Sequence, residues 1–210
     1  FQGDTLLAKK RILLLKSSSK TEHNILYHNL IAKNFGIEYD RLNAKSNFHF
    51  KKAISIAKEN KNLPLEVWSE MNYVEYLYFY RDMNNLIPHL LYALEKAKKI
   101  DEKHLLEPCK MYKLAGWIFQ TIGEIEDSTK YLNLALAITH DDIKEKASIL
   151  NALGANYFKE DNFKLAEAYY NQTLKYSLEA NDTIRYAKAI GSIAEIEKKR
   201  GNCTKAISLV

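Results

Sequence analysis

The sequence is poor in the residues that interrupt helices and in the long apolar runs that cross membranes. Its 210 residues include only seven glycines and three prolines, whereas a turn-rich β fold needs many more of both. An apolar run at residues 12–15 is flanked by basic residues, and no run approaches the ~18 residues of a membrane-spanning helix. These shortages predict a chain of long helices without a membrane span in this segment.

Arginine is also scarce, although the chain is basic. Only five of the 31 basic residues are arginine, and the formal net charge is +5. Arginine supplies most base-specific contacts to nucleic acids, and the lysines are interspersed with Glu and Asp. No helix-turn-helix or RNA-binding motif is present. We therefore expect no direct nucleic-acid binding by this segment.

Motifs for catalysis and for metal or cofactor binding are missing. No histidine belongs to H-E-x-x-H or to another spacing of metal ligands. The one cluster is His140 with Asp141 and Asp142, which is typical of a solvated loop that leads into a helix cap. No glycine-rich phosphate loop or G-x-S-x-G motif occurs. We predict no enzymatic activity, no cofactor, and no catalytic or metal-binding residue.

The sequence does contain a repeated helical motif. Its clearest copy is Leu150-x2-Leu153-Gly154-x2-Tyr157 followed by Ala166-x3-Tyr170, with a turn at residues 160–162. Both halves have the apolar period of amphipathic helices, so the short turn predicts an antiparallel helical hairpin. Gly154 lies mid-helix, where glycine costs about 1 kcal/mol relative to alanine. That cost is explained if the partner helix crosses there and its backbone leaves no room for a side chain.

The same motif recurs on both sides of this copy. Upstream it is Tyr112-x2-Ala115-Gly116-x2-Phe119 with Ser128-x3-Leu132; downstream it is Ile190-x2-Ile193-Ala194-x2-Glu197 with Ala206-x3-Val210. The small residues Gly116, Gly154 and Ala194 lie 38 and then 40 residues apart. Three copies in register predict a stack of hairpins, and the two cysteines, Cys109 and Cys203, then fall in different repeats as free thiols.

This motif resembles the tetratricopeptide repeat (TPR), whose pattern is W-x2-L-G-x2-Y followed by A-x3-F. The resemblance implies an all-α fold of antiparallel hairpins stacked as a right-handed superhelix. Residues 4–210 are predicted to form one array of about four hairpins, with a leading helix and a truncated final hairpin. Residues 1–3 resemble the remnant of a protease-cleavable expression tag. The spacing here exceeds the usual ~34 residues, which predicts longer helices.

Two local features make the second hairpin harder to predict. Helices are expected from about 65 to 80 and from about 86 to 97, with Pro88 near the start of the second. Glu70 falls where the motif requires a large apolar residue, which leaves the register open by a residue or more. Pro108 predicts either a helix that begins near Glu107 or a kinked one, and Asp182 is a candidate helix cap.

The resemblance also implies a binding surface, because in TPR proteins the first helix of each hairpin lines the concave face where peptides bind. Lys113 and Asn151 occupy places comparable to those of residues that clamp a terminal carboxylate in some members, although the rest of that clamp is missing. An aromatic groove fits the sequence better; the alternative is that the rings only fill space between helices. The predicted peptide-binding residues are Trp68, Asn72, Tyr78, Lys113, Trp117, Gln120, Asn151, Phe158 and Lys188.

A narrower resemblance concerns the first sixty or so residues. They are similar to the N-terminal repeat region of Bacteroidetes-type regulatory proteins in their apolar spacing: Asp4-x-Leu6-Leu7, Leu26-x3-Leu30 and Lys52-Ala53-Ile54-x-Ile56-Ala57. This resemblance implies a periplasmic array ahead of a membrane helix and a DNA-binding or kinase module. We therefore expect the sensing or interaction part of a larger regulator, with a protein or peptide ligand. The alternative is a structural scaffold that only forms a homodimer and has no ligand groove.

Overall fold

The computed structural model describes residues 10–209, and in that range the chain is built from eleven α-helices and one short 3-10 turn, with no strand. The all-α prediction is confirmed, and the Asp4-x-Leu6-Leu7 spacing lies outside the described residues. The elements are α1 (10–16), α2 (Thr21–Tyr39), α3 (Ala44–Glu59), α4 (Leu63–Phe79), α5 (Met83–Ala97), the 3-10 turn (Glu102–His104), α6 (Pro108–Ile122), α7 (Ile125–Ile138), α8 (Ile143–Lys159), α9 (Phe163–Glu179), α10 (Thr183–Lys199) and α11 (Cys203–Leu209).

Most of these helices begin with the same device, an Asp or Asn side chain that caps the first turn. The Asp142 carboxylate accepts a hydrogen bond from the Glu145 backbone N–H at 2.8 Å, and Asp182 does the same for Arg185 at 3.0 Å. Asn62 and Asn162 are equivalent caps. Such a side chain satisfies one of the N–H groups that a helix start leaves unpaired. The predicted cap at Asp182 is confirmed.

Consecutive helices pair into antiparallel hairpins, and the hairpins pack side by side within two compact units. The first unit runs to Glu107 and the second begins at Pro108. In the first, α2 pairs with α3 and α4 with α5, and the first helices α2 and α4 touch. In the second, α6 pairs with α7, α8 with α9 and α10 with α11, while α8 contacts both α6 and α10. The chain is thus an α-solenoid of hairpins, and one array over residues 4–210 stays a prediction.

At the two motif glycines the partner helix leaves no room for a side chain, as predicted. A Cβ added at Gly154 would be 2.8 Å from the ring of Tyr170, and one added at Gly116 would be 2.6 Å from Cγ of Leu132. The obstruction differs from the predicted one, because at Gly154 it is a buried tyrosine ring rather than the partner backbone. At Gly116 the Ser128 carbonyl oxygen, at 3.2 Å, adds to the side chain. Glycine here leaves the space that a large side chain of the partner helix fills.

Glu70 occupies the expected core position and is buried there as a paired carboxylate. It is 1% exposed, its Oε1 accepts from Lys58 Nζ at 3.0 Å, and its Oε2 lies 2.6 Å from His89 Nδ1. The neighbouring Glu66 accepts from the Tyr92 hydroxyl at 2.5 Å. A buried carboxylate is tolerated when it is paired and hydrogen-bonded. Hydrogen bonds from Glu70 to residues of α3 and α5 thus replace the apolar contact that the motif predicts.

The first residues of α5 and α6 test the predictions made for Pro88 and Pro108. α6 begins at Pro108, where a missing N–H breaks no helical hydrogen bond. The prediction that Pro88 lies near the start of its helix is wrong, because α5 already begins at Met83. The Asp82 side chain accepts from the Asn85 backbone N–H at 3.3 Å and so starts the helix earlier than the apolar pattern indicates.

Replacing Gly154 by leucine is expected to destabilise the chain by about 1–3 kcal/mol, because the new side chain overlaps the Tyr170 ring. Chemical denaturation followed by far-ultraviolet circular dichroism measures this loss. Gly191 provides the matched control: it is exposed in α10, and an added Cβ meets nothing within 4 Å. Gly191→Leu should be neutral or stabilising by up to about 1 kcal/mol, since leucine favours helix. Equal losses in both variants would contradict the close approach at Gly154.

A pair of histidines joins the first hairpin. The Nδ1 atoms of His28 on α2 and His49 on α3 are 2.7 Å apart. Burial, followed by the charges of His49 and Lys52, lowers the pKa of His28 to about 4. Burial and the charge of Lys16 lower the pKa of His49. Both rings are therefore neutral in the folded chain at neutral pH, and one ring N–H donates to the other ring.

These lowered pKa values predict acid sensitivity. Between pH 6.5 and about pH 4, the unfolded chain binds protons that the folded chain does not, so stability should fall as the pH falls through that window. The His28→Gln/His49→Gln double variant should show a shallower loss of melting temperature over this range. His104→Gln, at an exposed position, should keep the parent slope. A double variant with the parent slope would exclude the pair as the cause.

Candidate functional site

All nine predicted binding residues lie on first helices of hairpins, and they divide between the two units. We call the surface that these nine residues mark on their helices the first-helix face. In the first unit, α4 carries Trp68, Asn72 and Tyr78; in the second, α6 carries Lys113, Trp117 and Gln120, α8 carries Asn151 and Phe158, and α10 carries Lys188. A ligand groove over all nine residues stays a prediction.

Lys113 is already paired on the first-helix face of the second unit. Its ammonium forms an ion pair with Glu145 of α8 and lies over the Trp117 ring, 4.7 Å from the centroid. The Lys113 side chain is only 13% exposed. A lysine neutralised in this way does not present a free cation to a terminal carboxylate. The pair instead holds α6 against α8 above the indole ring.

Gln120 links the same two helices through its amide. Its Nε2 donates to the Ala152 carbonyl oxygen at 3.0 Å and to Asn156 Oδ1 at 2.5 Å. Asn156 is fully buried, and its Nδ2 donates to the Ser128 hydroxyl at 2.8 Å. The amide of Gln120 therefore serves helix packing. Sequence analysis did not identify Asn156 or Glu145, because a lone polar residue in a helix gives no signal of its partner.

Three of the four predicted aromatic residues pack on separate parts of the core, and all four keep part of the side chain accessible. Trp68 lies against the cluster that includes Ile25 and Ala57, and its Nε1 donates to Glu107 at 2.7 Å. Trp117 packs on the cluster around Leu132 and Ile149, and Phe158 on that around Tyr170 and Ile196. Tyr78 is half-buried near Arg81, whose guanidinium lies 5.6 Å from the ring centroid. The rings thus fill space between helices and also contribute to the surface.

Two asparagines on the first-helix face have a buried side-chain atom without a hydrogen bond. These atoms are Nδ2 of Asn72 in the first unit and Oδ1 of Asn151 in the second. Asn72 is 4% exposed, and Asn151 is half-buried. Buried polar atoms are nearly always paired, so each of these two atoms leaves hydrogen-bonding capacity unused. Lys188, by contrast, is exposed on α10.

The first unit also contains a pocket that sequence analysis did not predict. It lies between α2 and α4 and has a volume of about 270 Å³. Asn72 is its one member among the predicted residues. Its other lining residues are Lys33, Gly36, Ile37, Glu75, Tyr76, Phe79 and Tyr80.

In the part of the chain that the structure describes, no helix is both long and apolar enough to cross a membrane.

Comparisons with known proteins show similarity of structure without close similarity of sequence. No protein-family model and no curated protein matches the chain. BtubC from P. vanneervenii superposes with a TM-score of 0.78 at 14% identity, over 100% of this chain and 87% of that one. A Pyrococcus horikoshii STAND protein with a tetratricopeptide repeat sensor gives 0.75 at 19% identity, over 97% and 32%.

A third solved structure is the Rap conjugation gene regulator of plasmid pLS20 in complex with the Phr* peptide. It superposes with a TM-score of 0.61 at 15% identity, over 99% of this chain and 61% of that one. At such identities the likeness concerns the fold. It agrees with the hairpins and close helix approaches described above. The chain therefore has the fold of TPR-like repeat proteins, an α-solenoid of helical hairpins.

Proposed function

We propose that this chain is a protein-interaction module whose first-helix face in the second unit binds a peptide segment of a partner. The observation that carries this proposal is the unpaired Oδ1 of Asn151. Leaving a buried polar atom unpaired costs about 1–3 kcal/mol, and a peptide backbone N–H would remove that cost. Two further unpaired atoms, on Asn29 and Ser177, belong to fully buried residues that no ligand reaches.

The surroundings of Asn151 favour a peptide of modest charge. Lys113 and Glu145 neutralise each other, so this part of the surface offers no strong field to select a highly charged ligand. Trp117 on α6 and Phe158 on α8 each keep part of the side chain accessible. Aromatic residues contribute much of the binding energy in protein interfaces. An extended or helical peptide with apolar side chains fits this combination.

The structural neighbours support the same class of partner. The pLS20 regulator has a similar fold and is in complex with a peptide. The STAND protein uses its tetratricopeptide repeats as a sensor. These properties belong to those proteins, and they support our proposal that this chain is the sensing or interaction part of a larger regulator.

The competing proposal is a scaffold that dimerises without binding a ligand. Large apolar side chains are exposed in α9, α10 and α11: Leu178 at 69%, Ile184 at 71% and Ile207 at 78%. Such residues favour self-association when they form one patch. Light scattering over a range of concentrations distinguishes the two proposals, since the interaction module binds peptide as a monomer. A stable dimer that binds no peptide would favour the scaffold.

The peptide proposal is tested by selecting linear peptides from a random phage-displayed library and measuring their affinity by fluorescence anisotropy. Trp117→Ala should weaken binding by about thirtyfold, since it removes an interface aromatic. Asn151→Ala should weaken it by about tenfold, since it removes one hydrogen bond. Asn171→Ala is the matched control because Asn171 is exposed on the second helix α9, and its affinity should stay unchanged.

Melting temperatures of all three variants separate a loss of binding from a loss of folding. The proposed site is wrong if Trp117→Ala alters neither folding nor the affinity of a selected peptide. Binding of each selected phage should be displaced by the same peptide added free in solution. If no selected peptide passes this test, the proposed function is contradicted.

A further inference from the structure

The pocket in the first unit has walls that are held in place before any ligand binds. The Tyr76 hydroxyl accepts from the Asn43 backbone N–H at 2.8 Å, and the Tyr80 hydroxyl donates to the Gly36 carbonyl oxygen at 2.7 Å. A Cβ added at Gly36 would lie 3.1 Å from the Tyr76 ring, so glycine allows that ring to lie against α2. A pocket with fixed walls requires little ordering when a ligand enters.

The rim of this pocket exposes apolar surface to water. Phe79 is 70% exposed and Ile37 is 77% exposed, and they face the pocket from α4 and α2. Removing such surface from water is favourable. Three of the lining residues are aromatic, and aromatic rings pack well against other aromatic rings in offset or edge-to-face arrangements. The rim therefore favours an apolar, aromatic group.

One polar group in the pocket has no partner. Asn72 lines the pocket and is 4% exposed, and its Nδ2 makes no hydrogen bond within the described part of the chain. A carbonyl oxygen is the acceptor that would pair with this amide. The charged residues at the pocket, Lys33 and Glu75, lie 3.2 Å apart as an ion pair, so their charges offset each other. This arrangement favours a neutral ligand that carries a carbonyl group.

The volume limits the size of the ligand. An apolar cavity of about 150 Å³ holds a benzene molecule, and this pocket measures about 270 Å³. The difference leaves room for one phenyl ring and an adjacent amide. A phenylalanine residue within a peptide provides both groups next to each other.

We propose that this pocket is an anchor site for a phenylalanine-type side chain of a peptide partner, with the Asn72 amide donating to the neighbouring backbone carbonyl oxygen of that peptide. The inference rests on the proposed function for its class of partner, but it concerns a different unit of the chain and different residues. It adds a side-chain preference that the first-helix face of the second unit does not provide.

The experiment is a titration of the whole ¹⁵N-labelled chain with N-acetyl-phenylalanine methylamide, followed by nuclear magnetic resonance. Saturable shifts are expected for the Asn72 side-chain amide and the Gly36 backbone amide. The affinity should exceed that for N-acetyl-alanine methylamide by more than about tenfold, since the alanine probe buries no ring. Absence of saturable shifts at both positions would overturn the proposal.

Two variants test the two parts of the pocket. Phe79→Ala removes the exposed rim ring and should weaken binding of the phenylalanine probe several-fold. Phe48→Ala is its matched control, because Phe48 is 61% exposed in the same unit and does not line the pocket. Equal effects of these two substitutions would contradict the assignment of the rim.

The role of the Asn72 amide is tested with a second probe that lacks the carbonyl group. The parent chain should prefer N-acetyl-phenylalanine methylamide over ethylbenzene by about tenfold. In Asn72→Leu, which keeps the side-chain volume and removes the donor, this preference should fall towards one. An unchanged preference would show that the amide makes no bond to the ligand and would overturn the proposal.

A short peptide with one central phenylalanine distinguishes a peptide anchor from a pocket for small molecules. This peptide should bind more tightly than the capped amino acid, and equal affinities would overturn the proposal as stated. The two proposals also fail separately. Probe binding at Asn72 without any selected peptide contradicts the proposed function, whereas selected peptides that leave the Asn72 and Gly36 resonances unshifted contradict the anchor site.

Discussion

The structure depends on the close approach of paired helices at positions that carry no side chain. At Gly116 and Gly154 the space beside the first helix is filled by Leu132 and Tyr170 of the second helix. Each contact turns one side of the first helix toward its partner and leaves the opposite side available. Because the interior is packed without room for another methyl group, the rotation of each first helix is set, and with it the residues on its outward face.

Buried polar groups then set which hairpins lie side by side. Asn156 joins Gln120 of the preceding hairpin to Ser128, and Glu70 joins Lys58 to His89. Such groups are costly to bury without partners, so a shifted register would leave them unpaired. The Nδ2 atom of Asn72 and the Oδ1 atom of Asn151 differ from these groups because they have no hydrogen-bond partner in the described part of the chain. That contrast distinguishes the polar residues that hold the fold from the two that we propose as ligand contacts.

The sequence predicted the helical repeats well because their signal is local and periodic. The motif glycines, the apolar period and the Asp182 cap all depend on residues a few positions apart in one helix. The predicted site was less complete for the opposite reason. The prediction of Lys113 and Gln120 rests on their positions along one helix. Their partners Glu145, Ala152 and Asn156 lie on the next first helix. The pattern of a single helix contains no information about such partners.

What the sequence by itself determined is therefore the all-α class, the hairpins, and the positions where the helices of a hairpin meet. Only the tertiary structure decided that Lys113 is neutralised, that Glu70 is a paired core residue, and that Gly36, Tyr76 and Phe79 form a pocket around Asn72. The physical reason is the range of the interactions. Helix formation and hairpin contacts follow from spacing along the chain, whereas a pocket or an ion pair requires two helices to be brought together in space.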